Sequence, residues 1–336
     1  MAVFSADKPD DSEGALTIGL VNNMPDAALE ATEQQFTNLL NAAAGSLTVR
    51  LRLFALAEVP RGKAGRERIR RLYADFRALD RSRLDGLIVT GAEPIAPDLK
   101  DEPYWSSLIQ VLRWAEMNAV PTIWSCLAAH AIVLHLSGIR RRRLEEKCSG
   151  LFSFEKVEGH PFADGLPSKF LMPHSRYNGL AEEDLAAAGF TILSRSSEAG
   201  VDMFVKDGEG PFLFVQGHPE YDAHTLLREY KRDIRRFLKR EMETYPKLPV
   251  GYFDQEAAAR FERFREEALK DRSEDVLDRL STAAAEPILS NVWRATAVRL
   301  YANWLNFLML KKATVAAREL ALEFDHVRAS KQALRP

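Results

Sequence analysis

Three side chains far apart in the chain could together run nucleophilic chemistry: Cys126, His218 and Glu220. A thiol attacks as its thiolate, so it needs a base to take the proton, and the base needs a partner that holds it in place. Cys126 is the candidate nucleophile, His218 the base and Glu220 the orienting carboxylate. Each alone has a blander reading. A free cysteine is most often a small buried hydrophobe, and one histidine among seven is more often structural than catalytic. What changes the weighing is where the three fall relative to the elements that must carry them.

Around Cys126 the chain reads VPTIWSCLAAHAIVLHLSG, from Val120 to Gly138. Pro121 to Trp124 is a short apolar run of the kind that forms a buried parallel strand, and the pattern from Leu127 onward predicts a helix that stops at Gly138. Cys126 then occupies a tight strand-to-helix corner. There the positive end of the helix favours a thiolate and the Leu127 N–H is available to an oxyanion. Ala128 and Ala129 are small enough for the close packing such a corner needs. In PFLFVQGHPEYD another strand is predicted to stop at Gly217, presenting His218 and Glu220 just beyond it, with Gly217 and Pro219 restricting the backbone on either side of the histidine.

The remaining elements supply the sheet. ALTIGLV, a helix ending at Gly45 and SLTVRLRLFAL make a β-α-β opening; DGLIVTG is a further strand leading to a loop, GAEP, and a helix is expected from Tyr104 to Asn118. LEEKCSGLFSFEKV is read as a turn into a strand, PHSRYNGL as a polar loop, and TILSRS with VDMFVKD as a hairpin turning near Gly200. The helix TLLREYKRDIRRFLKREM follows Glu220. This order predicts an α/β protein with a doubly wound, mostly parallel sheet, whose ligands sit at the carboxyl ends of the strands. Residues 1–14 are expected to be a disordered tail, 15–245 the catalytic α/β domain and 246–336 a C-terminal helical extension packed on it.

Composition excludes several functions. With 336 residues, 46% of them hydrophobic, the chain can bury a large core, and a formal net charge of -2 offers no global field for nucleic acid or an anionic membrane. The basic stretch from Arg61 to Arg83 lacks interleaved aromatics and reads as a solvated helix face. No apolar run approaches the ~20 residues of a membrane span, and the acidic start lacks the form of a signal peptide. Two cysteines, Cys126 and Cys148, make no disulfide framework, and a cytoplasmic location is expected. A metal site finds little support, since Cys126 has no CxxC partner and His130 and His135 are five apart, off the helical stacking distance. No glycine-rich phosphate loop is present. An apolar stripe from Phe253 to Ala268 and a cluster of Trp304, Leu305, Phe307 and Leu308 must be buried, either on the same chain or in a homodimer.

A set of short motifs runs through most of the chain. They are Asn22 to Pro25, Thr90 to Ala92, Tyr104-Trp105, Cys126, Glu146 to Gly150, Pro173 to Tyr177, Gly217 to Asp222, Arg228 to Asp233 and Trp293 to Asn306. In this order and spacing the chain resembles the homoserine O-acyltransferases of methionine biosynthesis, the family usually called homoserine O-succinyltransferase. The resemblance implies a class I glutamine amidotransferase-like, flavodoxin-like fold. It also implies a ping-pong transfer in which the cysteine takes an acyl group from acyl-CoA, a co-substrate rather than a bound cofactor, and passes it to the hydroxyl of homoserine. By the same resemblance, Leu127, Ala92 and Lys147 belong to the oxyanion hole, and Ser175, Arg176 and Arg232 to substrate binding. Ile95 falls on the position that selects the acyl group, with succinyl favoured and acetyl close behind. Departures from the family pattern are Asp26-Ala27 after Met24-Pro25, where a basic residue is usual, and CLAAHA from Cys126 to Ala131. A glutamine amidotransferase or amidase on the same fold, and a non-catalytic binding protein on a degenerate scaffold, are the alternatives.

Overall fold

The computed structural model describes residues 14–157, 159–283 and 290–333. The expected tail, Gly14 apart, lies outside the described residues. Strand β1 (Leu16–Val21), helix α1 (Asp26–Ala44) and strand β2 (Val49–Ala55) open the sheet, and α2 (Lys63–Leu72) leads to a two-residue β3 (Ala74–Asp75) at its edge. The chain then returns to the other side of β1 with β4 (Gly86–Val89), α3 (Trp105–Met117), β5 (Thr122–Ser125) and α4 (Leu127–Ser137). Gly138 ends α4 in the left-handed conformation, at φ 71°, as glycine does at little cost.

Two long strands, β6 (Arg142–Lys156) and β7 (Lys169–Gly179), come next, then α5 (Glu182–Ala187) and four short strands: β8 (Thr191–Ile192), β9 (Ser194–Ser196), β10 (Gly200–Val201) and β11 (Met203–Lys206). The chain completes the sheet with β12 (Phe212–Val215) and continues in helices α6 (Thr225–Leu238), α7 (Gln255–Lys270), α8 (Glu274–Ala283) and α9 (Arg294–Ala333). The main sheet has the order β3-β2-β1-β4-β5-β12-β11-β8, parallel from β3 through β12, and antiparallel only where β11 meets its neighbours. Strands after β1 lie on opposite sides of it, so the topological switch falls between β1 and β4. A ligand crevice belongs there, at the carboxyl ends.

The sequence pattern misses the second sheet, order β10-β9-β6-β7. The stretch read as a polar loop, Pro173 to Gly179, continues β7 in a ladder with β6. Its polar residues His174 and Arg176 are buried and bonded to one another, which is how they occupy a strand whose inward face is otherwise apolar. The expected hairpin near Gly200 is split between the two sheets, β9 and β10 in one, β8 and β11 in the other.

The C-terminal helices are covered by their own chain. Ala257, Phe261, Phe264 and Ala268 of α7 pack with Leu226, Tyr230 and Ile234 of α6. Trp304, Leu305 and Leu308 of α9 pack on the β1, β2 and α1 side of the core. Gly86 lets α9 lie this close, since a Cβ there would come 2.6 Å from Leu308 and 2.8 Å from Trp304. Both stripes that raised the homodimer expectation are therefore spent within one chain. Among the described residues, no helix is long and apolar enough to cross a membrane. Trp304 is fully buried, so Trp304→Ala is expected to cost about 3–5 kcal/mol of folding free energy; denaturant unfolding of both proteins measures it.

Candidate active site

Cys126 sits between β5 and α4 with φ 51° and ψ -114°. No L-residue adopts this conformation freely, and such strain is held only where surrounding bonds over-determine it. Here the Cys126 N–H donates to the Val215 carbonyl at 2.7 Å, and its own carbonyl accepts from the His130 N–H at 3.3 Å. Val215 ends β12, so the bond that shapes the corner also ties it to the strand that delivers His218.

His218 is 6% exposed and Glu220 5%. The Glu220 carboxylate meets His218 Nδ1 at 2.8 Å, which leaves the other ring nitrogen for the Cys126 sulfur, close enough to act on the imidazole. Tyr221 stacks on the imidazole with ring centroids 4.2 Å apart, and the Tyr221 carbonyl accepts from the Trp293 indole at 3.1 Å. Burial works against charging the ring, but the Glu220 carboxylate, the cysteine sulfur and the hydrogen bonds to both outweigh it and hold the His218 pKa well above its ordinary value. The arrangement favours an imidazolium facing sulfur.

The loop after β4 abuts this corner. The Asn23 amide N–H donates to Thr90 Oγ1 at 2.8 Å and its side chain to the Thr90 carbonyl at 2.9 Å, locking the carboxyl ends of β1 and β4 together. Gly91 packs against the first residue of α4; a Cβ on it would lie 2.8 Å from the Leu127 nitrogen. Ala92 and Leu127 both line the cavity above Cys126.

That cavity has a volume of roughly 1260 Å³. Ser175, Arg176, Arg232 and Lys147 all line it, with unequal freedom. Arg176 donates to His174 Nδ1 at 3.1 Å, to the Asn178 carbonyl at 2.7 Å and to the Ala199 carbonyl, so much of its guanidinium is committed to the wall. Lys147 and Arg232 share one buried carboxylate, Asp233, at 2.6 and 2.9 Å. Lys147 reaches it because the register of β6 against β7 slips between Arg143 and Cys148, and such irregularities re-aim side chains. Ile95 is not brought to the site. Its side chain is 67% exposed, and the cavity is lined by its neighbours Pro94 and Ala96 instead. The Ile95 and Ala96 N–H groups both donate to Glu102 at 2.8 Å, which fixes the loop with Ile95 outward.

The two departures from the family pattern have local explanations. Asp26 accepts from the Gly62 N–H at 2.8 Å and tethers the start of α2, while Arg61, from that neighbouring segment, donates to the Met24 and Asn22 carbonyls at 2.8 and 3.1 Å. His130 meets the Gln216 side chain at 2.8 Å, and burial pushes its pKa down to about 3, so it is a neutral wall residue. His135 lies edge-on to Trp105, away from His130. Burial pushes the Cys148 thiol up, unlike a nucleophile.

Sequence reasoning missed Asp202. It is fully buried, its backbone carbonyl accepts from the Gln216 N–H at 3.0 Å, and its carboxylate accepts from the Gly217 N–H at 2.8 Å. The Pro173 carbonyl accepts from the His218 N–H at 2.9 Å. Three consecutive N–H groups are thus pinned immediately ahead of the His218 side chain. A lone carboxylate in the apolar run VDMFV was the available signal. Burial raises the Asp202 pKa to about 6 against the pull of Gly217 and Arg176. A carboxyl whose folded pKa exceeds its ordinary 3.8 binds its proton more tightly in the folded state, so stability falls as pH rises from about 4 to about 6. Asp202→Asn keeps the acceptor and removes the charge. Relative to the parent it is expected to gain up to about 3 kcal/mol between pH 4 and pH 7, which urea unfolding at both pH values measures.

A family model for homoserine O-succinyltransferase matches residues 5–315. A homoserine O-succinyltransferase of Rhodopseudomonas palustris is 50% identical over 299 residues, covering 88% of this chain and 90% of that protein. One from Bradyrhizobium japonicum is 45% identical over 294 residues, covering 87% and 90%. Among solved structures, a glutamine amidotransferase from Thermotoga maritima aligns at 14% identity and a TM-score of 0.48, over 88% of this chain and 99% of that one. The chain belongs to the homoserine O-succinyltransferase family and is an acyltransferase.

Proposed function

We propose that this chain transfers a succinyl group from succinyl-CoA to the hydroxyl of L-homoserine through an acyl-cysteine on Cys126. The observation that carries this reading is the buried Glu220–His218 pair facing the thiol at the strained corner, on the floor of a cavity large enough for both substrates. The Cys126 thiolate attacks the thioester carbonyl. The N–H groups of Leu127 and Ala92 receive the developing oxyanion, and His218 gives its proton to the departing coenzyme A sulfur. In the second half the homoserine hydroxyl gives its proton to His218 and attacks the acyl-cysteine, which releases ester and restores the thiolate. Exchange of one thioester for another is nearly even in energy, so the first half needs alignment more than driving force.

In this reading Arg232 holds the carboxylate of homoserine. It spends Nε and Nη2 on Asp233 while its side chain stays 41% exposed toward the cavity. Ser175 supplies a hydroxyl to the same cavity, and Lys147, which shares Asp233 with Arg232, ties β6 to α6 beside it. Donor choice does not rest on Ile95 in this reading, since its side chain faces solvent.

Incubation with succinyl-CoA alone is expected to leave a succinyl adduct on Cys126, seen by intact mass and peptide mapping. Cys126→Ala should lower kcat by about 10³-fold or more; retained turnover would overturn the covalent route. Steady-state kinetics should give succinyl-CoA a kcat/KM at least about tenfold above acetyl-CoA, about 1.4 kcal/mol of discrimination. Ile95→Gly should leave that ratio unchanged, and a shift toward either donor would return Ile95 to the selecting role.

A further inference from the structure

The walls of the cavity differ in how their positive charge is compensated. Four arginines of α6 line it, and three already face carboxylates: Arg228 with Asp222, Arg232 with Asp233 and Arg236 with Glu93. On the wall formed by the segment after α4, Arg140 is paired with Asp98 at 2.8 Å. Arg142 points away from the cavity and is bound by Glu183 and Asp184 at 3.1 and 2.7 Å. Arg141 and Arg143, on either side of it, line the cavity and have no ion pair among the described residues. Alternation at the start of β6 explains why Arg142 points away from the face that Arg141 and Arg143 share.

Neither is held as an ordinary surface arginine. Arg141 is half-buried, and its Nη1 lies out of solvent contact with no hydrogen-bond partner among the described residues. The Arg143 guanidinium stacks over the Tyr177 ring at 4.4 Å from its centroid, and the Lys147 ammonium lies 5.6 Å from the same centroid. Tyr177 lines the cavity as well. A stacked guanidinium keeps its edge donors free for a planar or tetrahedral oxyanion. Arg141 feels the Glu102 and Asp98 carboxylates without a direct ion pair to either, so two guanidiniums with donors to spare on one wall make a site for a multiply charged anion.

The position suits one end of the donor. This segment leaves the far end of α4, about 16 Å along the helix axis from Cys126, and Arg141 reaches back far enough to act on His130, so both guanidiniums lie within that span of the thiol. The arm of coenzyme A between sulfur and the first phosphate has about thirteen bonds, and at the extension of a peptide chain it spans about 15 Å. We infer that Arg141 and Arg143, with Tyr177, form the anchor for the phosphate-bearing nucleotide end of the acyl-CoA, while the acyl group itself lies at Cys126. This deepens the proposed function and rests on it.

The test compares two donors that differ only in the phosphates, succinyl-CoA and succinyl-pantetheine, at a fixed homoserine concentration. Arg141→Gln and Arg143→Gln are each expected to raise KM for succinyl-CoA about tenfold or more, with kcat little changed and kcat/KM for succinyl-pantetheine intact. The same loss should appear with acetyl-CoA, because the arginines read the nucleotide end and not the acyl group. Added salt should depress the parent's kcat/KM for the CoA donor and leave the pantetheine donor nearly unaffected. Equal loss with both succinyl donors, loss confined to succinyl and absent with acetyl-CoA, or no loss with either variant would each overturn the assignment. Turnover of succinyl-pantetheine by the variants also shows that they are folded. If the parent forms no O-succinylhomoserine from either donor, the functional reading fails and the anchor with it, whereas failure of the anchor alone leaves the parent active with both.

Discussion

The structure depends most on one bent residue. Cys126 holds a backbone conformation that costs on the order of 1–3 kcal/mol, and the surrounding sheet exists in a form that enforces it. The bond from its N–H to Val215 joins the corner to the last parallel strand. The Gly91 backbone closes over the first residue of α4, and Asn23 locks Thr90 to the end of β1. Four strand ends are drawn to one place by these contacts. An exposed loop could carry the same side chains but could not hold the sulfur, the imidazole and two N–H groups in fixed relation, and positional precision is where much of a transfer enzyme's rate originates.

Electrostatics is organised around the same point. Burial alone would lower the His218 pKa, but the nearby Glu220 carboxylate and cysteine sulfur hold it well above its ordinary value. Directly beneath, His174 is kept neutral by burial and by the neighbouring Arg176 and His218. Arg176 donates to its Nδ1, so the His174 proton resides on Nε2, 3.5 Å from Asp202. The two imidazoles are thus driven in opposite directions by their neighbours, His218 toward its charged form and His174 toward its neutral one. Asp202 pins the backbone at Gly217, and a side chain at that glycine would strike both His174 and Asp202. The glycine before His218 is therefore required by the close packing of polar groups under it, not by an unusual φ.

Much of this was legible in the sequence because it rests on local signals. The strand-corner-helix pattern around Cys126, the stop at Gly217 and the apolar runs of the parallel strands are written in consecutive residues. The second sheet was not legible, because β7 buries His174 and Arg176, and the contact that completes Arg176, the Ala199 carbonyl 23 residues on, cannot be seen from the local pattern, so the polar run reads as loop. Asp202 was missed for the same reason: its role lies in bonds to Gln216 and Gly217, fourteen or more residues away. Ile95 was placed at the site by counting along a loop. Counting cannot see that Glu102 captures two successive N–H groups and turns the side chain outward. The homodimer idea came from real apolar stripes whose partners, α6 and the face of the main sheet, were already in the chain.

A transferase on this scaffold must also solve the problem that water, always in excess, attacks an acyl-cysteine by the chemistry proposed for homoserine. Selecting the hydroxyl then depends on binding energy from parts of the acceptor that do not react. The cavity offers that energy asymmetrically. On the wall built by α6 the cations are partly balanced, Lys147 and Arg232 sharing Asp233 and Arg236 facing Glu93, so a zwitterionic amino acid can be held by exchanging hydrogen bonds with groups that already have partners. Water gains nothing from such a site. A bare cluster of cations beside the sulfur would instead attract any anion and block the acceptor. Cations held in ion pairs, beside two guanidiniums that have none among the described residues, would suit one cavity to a strongly anionic donor and a neutral acceptor in turn, as the proposed two-step transfer requires.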